Sequence, residues 1–138
     1  MRIMAIDYGD AHTGIAISDP TGLLAGFTTV INSRRQEVVV EQVTLLAKEH
    51  GVEELVLGHP VNMDGTLGPR SEKAKAMKAL LEEATALPVV LWDERRTTID
   101  AHNILFNSGK NAKQRKKVVD AVAASLILEG YLTFKKSH

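Results

Sequence analysis

The hydrophobic pattern of this chain changes period once, and that change limits what it can fold into. Up to about residue 31 the apolar residues come in short runs separated by turn residues. Beyond it they recur every three or four positions, interrupted by two short apolar runs. Ile3 to Ile6 is an apolar run that stops at Asp7 and Gly9, as a buried strand would. Gly14 to Ser18 reads as a second strand, followed by the turn residues Asp19-Pro20-Thr21-Gly22. Leu23 to Ile31, rich in Thr and β-branched residues, reads as a third. Strands separated by loops this short predict an antiparallel meander.

A helix is then predicted from a cap at Asn32 or Ser33 to about His50, with Val39, Val43 and Leu46 inward and Gly51 as the stop. Leu55 to Leu57 reads as a short buried strand. Ser71 is the expected cap of a second helix that turns Ala74, Met77, Leu81 and Ala84 inward and ends by Pro88. Val89 to Trp92 is a fifth strand ending at Asp93-Glu94. Thr97 or Thr98 would cap a third helix to about Phe106. A basic loop then leads to a last helix from about Arg115 to Phe134, with Val119, Val122, Leu126 and Tyr131 inward. Three meander strands followed by β-α units predict a five-stranded mixed sheet, three antiparallel strands plus two further ones, flanked by helices. This α/β order matches the RNase H-like fold, and 138 residues fit one such domain over residues 1–138.

The chain has no cysteine, which excludes a disulfide scaffold, a thiolate zinc site and a cysteine nucleophile. No apolar run approaches the ~20 residues that cross a bilayer, and the apolar start ends at Asp7, too soon for a signal peptide. The expected location is cytoplasmic. Seventeen basic and seventeen acidic residues give a formal net charge of zero. The charges are unevenly spread, because Lys110, Lys113, Arg115, Lys116 and Lys117 crowd one segment.

Three acidic positions stand out. Asp7 closes a hydrophobic strand, where an unpaired charge is expensive and calls for a cation, hydrogen bonds or a proton. Asp93 and Glu94 repeat that arrangement after the fifth strand. Asp120 interrupts an apolar, Ala-rich helix, VVDAVAASLI. Each also has a plainer reading. Asp7 can close the first hairpin before Gly9. Asp93 and Glu94 can cap the next helix, and Asp120 can pair on a solvated helix face with Lys116 or Lys117. Taken together, carboxylates without His or Cys partners suit Mg²⁺ or Mn²⁺, and two such ions can drive phosphodiester hydrolysis.

Four blocks carry a resemblance to a known family: DYGDAHTGIA from Asp7, GHPVNMDGT from Gly58, DERRTT from Asp93 and DAVAASLILEGYL from Asp120. With them, nearly the whole chain resembles the YqgF/RuvX family, pre-16S rRNA nucleases also described as Holliday-junction-resolvase-like. The resemblance implies Asp7, Glu94 and Asp120 as catalytic, metal-binding acids, with Asp93 in support. It implies that Gly9 and Gly14 shape the first hairpin and that Asn62, Arg95 and Thr98 lie around the phosphate or metal. The basic loop around Lys113 to Lys117 would touch a nucleic-acid backbone. Asp10, Ala11 and His12 depart from the family's first hairpin, and His59 stands where its G-L-P motif has Leu.

The implied activity is metal-dependent phosphodiester hydrolysis in processing the 5′ end of pre-16S rRNA, by a monomer or homodimer. The alternatives are a Holliday-junction resolvase acting on branched DNA and a non-catalytic RNA-binding assembly factor. D-x-G in a first hairpin also resembles actin-like ATPases and sugar kinases. Those need two such domains, and no P-loop is present.

Overall fold

The computed structural model describes residues 1–19, 25–59, 68–93 and 112–137, and in the last segment describes side chains from 122 to 135. The elements are β1 (Arg2–Asp7), β2 (His12–Ser18), β3 (Ala25–Asn32), α1 (Gln36–His50), β4 (Val52–His59), α2 (Pro69–Thr85), β5 (Val89–Asp93) and α3 (Ala112–Ser137). The expected helix from Thr97 or Thr98 to Phe106 lies outside the described residues. The strands form one sheet in the order β3-β2-β1-β4-β5. β1 and β3 pair antiparallel with β2, as a meander must, while β1, β4 and β5 run parallel. Helices α1 and α2 precede the two parallel strands β4 and β5 in the chain, and the whole is the five-stranded mixed sheet of an RNase H-like fold.

β1 lies in the middle of the sheet, and its alternation sorts two cores. Met4 and Ile6 join Ile15, Ile17, Leu55 and Leu57 beneath α1 and α2, which contribute Val39, Val43, Met77 and Leu81. Ile3 and Ala5 join Ala16, Val56 and Trp92 beneath α3, which contributes Ala124, Ile127, Leu128, Tyr131 and Leu132. One face is built from long aliphatics. The other is lined by small residues along β1 and β2, so that α3 can lie close to the strands.

Local expectations hold at some ends and fail at others. Gly51 stops α1 in the left-handed region at φ 64°, where a Cβ is costly. α1 begins at Gln36, later than a cap at Asn32 or Ser33 would start it, because Ser33 Oγ instead accepts from the Arg35 N–H at 3.1 Å in a local turn. α2 begins at Pro69 after Gly68, as the fixed φ of proline favours. Ser71 is therefore inside the helix, fully buried, and not its cap. Ala84 is exposed, since α2 turns only Ala74, Met77 and Leu81 to the core. The basic segment from Lys113 to Lys117 is helical, not a loop, because α3 starts at Ala112. Among the described residues no helix is long and apolar enough to cross a membrane.

The end of α3 is fastened to the start of β4 by a contact that joins residues 77 positions apart: the Tyr131 hydroxyl donates to Glu54 Oε1. Lys135 Nζ donates to the other carboxylate oxygen of Glu54 at 3.1 Å. Burial, then the hydrogen bond and negative charge of Glu54, raise the Tyr131 pKa above its ordinary 10.0. As pH rises the unfolded chain then loses this proton first. The associated stability is fully present below pH 10.0 and is lost as pH climbs through the higher folded value. In thermal melts, Tyr131→Phe should be less stable than the parent by a margin that is constant below pH 10.0 and shrinks above it. A margin independent of alkaline pH would contradict this linkage. In the larger core, Leu57 is fully buried. Leu57→Ala should lower stability by about 2–5 kcal/mol, read from the urea midpoint.

Candidate functional site

Asp7 is the last residue of β1 and pairs with Gly14 across the first hairpin. Strand alternation puts it on the face of Ile3 and Ala5, which α3 covers. Its neighbours leave space there, since Gly14 has no side chain and Ala16 follows on the same face of β2. Asp7 is half-buried, and among the described residues its carboxylate has no hydrogen bond or ion pair. A carboxylate in that position retains lone pairs for a cation or a donor.

The first hairpin is tight. A Cβ on Gly9 would collide with the His12 backbone carbonyl, so Gly9 shapes the turn by close approach. The polar residues that depart from the family pattern are engaged within the chain. His12 Nδ1 lies 2.7 Å from Asn32 Oδ1, and Asp10 accepts from Lys73 Nζ at 3.0 Å. His59 Nε2 lies 2.5 Å from Ser71 Oγ, which ties the end of β4 to the first turns of α2.

On the other side of β4, register levels Gly58 with Trp92 and His59 with Asp93. Val90 and Trp92 belong to the α3 face, whereas Val89 and Leu91 belong to the α1 and α2 face. Asp93 therefore occupies a register position opposite to the Asp7 face, beside Leu91. The strand end at Trp92 is two strand spacings, ~10 Å, from the end of β1.

α3 crosses β1, β2 and β3, with its last turns held at β4 through Glu54. Position 120 falls one turn before Ala124 and two turns before Ile127 and Leu128 along α3. Lys113, Arg115, Lys116 and Lys117 occupy the first two turns, with no acid in the first turn to complement the helix dipole. Side chains of Asp120 and of these four basic residues lie outside the described set, as do Glu94, Asn62, Arg95, Thr98 and Lys110 altogether. Among the described residues, no three His, Cys, Asp or Glu side chains group as a metal site.

Glu54 was not singled out by its sequence context. It lies in a run of acids, Glu53-Glu54, and its partners Tyr131 and Lys135 come from the far end of the chain. A Tyr and a Lys four residues apart on a helix face gave the only signal, and that spacing is common.

Comparison with known proteins gives a consistent placement. The RuvX family, described as Holliday junction resolvase, matches residues 1–134. A curated protein of Halothermothrix orenii, named "Putative pre-16S rRNA nuclease", is 44% identical over 135 residues, covering 98% of this chain and 96% of its own. Among solved structures, Thermus thermophilus RuvC in complex with a Holliday junction substrate superimposes with a TM-score of 0.65. It is 14% identical, and the match covers 99% of this chain and 96% of that one, a likeness of fold. A ROK hexokinase from Thermus thermophilus reaches a TM-score of 0.52 at 24% identity, but the match covers 75% of this chain and only 38% of that one. Part of the fold is thus shared with a kinase about twice its length, while similarity along the whole sequence runs elsewhere: the chain belongs to the RuvX family.

Proposed function

We propose that this chain is a single-domain, divalent-metal-dependent nuclease that hydrolyses phosphodiester bonds in maturing the 5′ end of pre-16S rRNA. The observation that carries the reading is Asp7, a half-buried carboxylate without a partner among the described residues, at the end of the central strand and on the face covered by α3. The name of the Halothermothrix relative supports the substrate.

The donor chemistry fits a hard cation. The chain has no thiol, and the residues in question are carboxylates. Asp7, Glu94 and Asp120 would hold Mg²⁺ or Mn²⁺. Bound there, the metal would activate water for attack on phosphorus and stabilise charge on the leaving oxygen. Two features support the partners of Asp7. Glu94 directly follows a strand whose even-numbered residues, Val90 and Trp92, belong to the Asp7 face. Asp120 lies on α3, the helix that covers the Asp7 face. Asp93, by its register, serves from the other side as support. Asn62, Arg95 and Thr98 are the proposed groups around the phosphate.

The basic start of α3 would hold the nucleic-acid backbone. Like charges crowded at the positive end of a helix dipole disfavour the helix by themselves, and phosphate relieves both repulsions. The description of the family as Holliday junction resolvase favours branched DNA as a second substrate. A resolvase cutting two strands symmetrically favours a dimer. Cleavage of pre-16S leader RNA and of four-way junctions, with the mass in solution, distinguishes the two. Failure to cleave either, with RNA binding retained, would identify a non-catalytic assembly factor.

Asp7→Asn should reduce cleavage to background at saturating Mg²⁺ or Mn²⁺ while preserving the circular dichroism spectrum, because it removes the metal-binding charge at constant volume. Retained cleavage would exclude the metal role of Asp7. Replacing Lys113, Lys116 and Lys117 together by Ala should weaken binding most at low salt. Each lost phosphate contact should flatten the slope of log affinity against log salt by roughly 0.7–0.9. An unchanged slope would move the binding surface elsewhere.

A further inference from the structure

β3 is an edge strand, paired with β2 on one side and, among the described residues, with nothing on the other. An open edge offers its unpaired backbone N–H and C=O groups to another strand, and proteins blunt such edges with charges, proline or bulges. The strand AGFTTVIN has no charged residue and no proline. Its register with β2 shifts only around Gly26, so Phe27 to Asn32 is regular. Gly26, Phe27 and Thr28 are exposed.

The surface beside this edge is equally uncharged. β3 and α1 flank a groove of about 370 Å³ lined by residues that include Phe27, Thr29, Ile31, Val38, Gln42 and Leu46, and none of its lining residues is charged. The groove between α1 and α2 differs, since Glu37 and Glu41 line it. In a chain with 25% charged residues, an uncharged surface along a free edge has the composition of an interface centre. The ends of α1 carry opposite charges. α1 runs back along β3, with the His50 ring 4.6 Å from that of Phe27, so the helix starts near the end of β3 and ends near its beginning. Arg34 precedes the helix and Glu49 falls in its last turn. Both are exposed and have no partner among the described residues.

These features complement themselves. When a two-fold axis perpendicular to the sheet pairs two copies of β3 antiparallel, α1 stays on the same face in both, so each residue opposes one of its own parity. Centred on Thr29, the pairing sets Phe27 against Ile31 of the second copy, Thr29 against Thr29, and Thr28 against Val30. Aromatic–β-branched and Thr–Thr pairs are favourable across strands. The same axis brings the start of one α1, with Arg34, toward the end of the other, with Glu49. We propose that the β3 edge and the adjoining flank of α1 form a homodimer interface, joining two five-stranded sheets into one. The pairing stands apart from the nuclease reading, but its consequence rests on it. Register levels Asp7 with Gly14 and Gly14 with Val30. The axis therefore leaves both Asp7 positions on one face, ~25 Å apart across the joined sheet, where two strands of one substrate can be engaged together.

The test is the mass of the full chain in solution without nucleic acid, which keeps it separate from activity. The parent should be a dimer. Thr29→Lys sets two like charges on the axis and should raise the dimer dissociation constant about 100-fold, as should Thr29→Glu. An equimolar mixture of the two variants should regain the dimer. Because the chain has no cysteine, Thr29→Cys has only the second copy to bond with. Facing Cα atoms ~4.5–5.5 Å apart are within disulfide reach. Mild oxidation should cross-link Thr29→Cys and not Leu80→Cys, an exposed position on α2. A monomeric parent, a dimer that Thr29→Lys leaves intact, a Lys and Glu mixture that stays monomeric, or equal cross-linking of the two Cys variants would overturn the interface. Cleavage by a monomeric parent would overturn it while leaving the nuclease reading standing.

Discussion

Burial of β1 on both sides is the constraint on which the rest of the structure depends. A strand at the centre of a sheet, covered by α1 and α2 on one face and α3 on the other, must be apolar along its length. Polarity can return only where the strand leaves the sheet. That place is Asp7, so the charge sits at the boundary between a low-dielectric core and solvent. There an ion or a hydrogen bond to the carboxylate is worth far more than on an open surface.

The two faces of β1 do different things. Long aliphatics such as Met4 and Leu57 make the core beneath α1 and α2. The opposite face, with Ala5, Gly14 and Ala16, gives up volume so that α3 can pass close to the strands. Close passage lays the last helix across the first strand. It also places the helix's closing turns against β4 and β5, where Glu54, Tyr131, Lys135 and Trp92 meet. Stability of that corner and orientation of α3 are therefore one property.

Polar groups near the candidate site are mostly committed within the fold. Asp10, His12 and His59 each have a partner, Lys73, Asn32 and Ser71 respectively. The residues that depart from the family pattern thus tie the first hairpin to α2 and β3, and the end of β4 to α2. Their side chains are accounted for structurally, while Asp7 remains available to a ligand among the described residues.

Much of this was legible in the sequence alone. Apolar runs of strand length, a later period of three to four, and Gly51 as a stop all follow from local steric and hydrophobic preferences, which act over a few residues. They sufficed for the order of the elements, for the mixed sheet and for Asp7 as a strand-end acid. Helix starts were less legible, because Ser33 and Ser71 are equally good in a turn or a helix interior, and packing decided between these roles. Ala84 was read inward from its spacing, but the face of α2 that packs on the core ends at Leu81. Tertiary structure alone decided the pairing of Glu54 with Tyr131, the packing of Trp92 against Tyr131, and the opposite faces of Asp7 and Asp93. Those depend on register and helix crossing, which are set by the summed packing of distant residues, and no stretch of neighbouring residues encodes them.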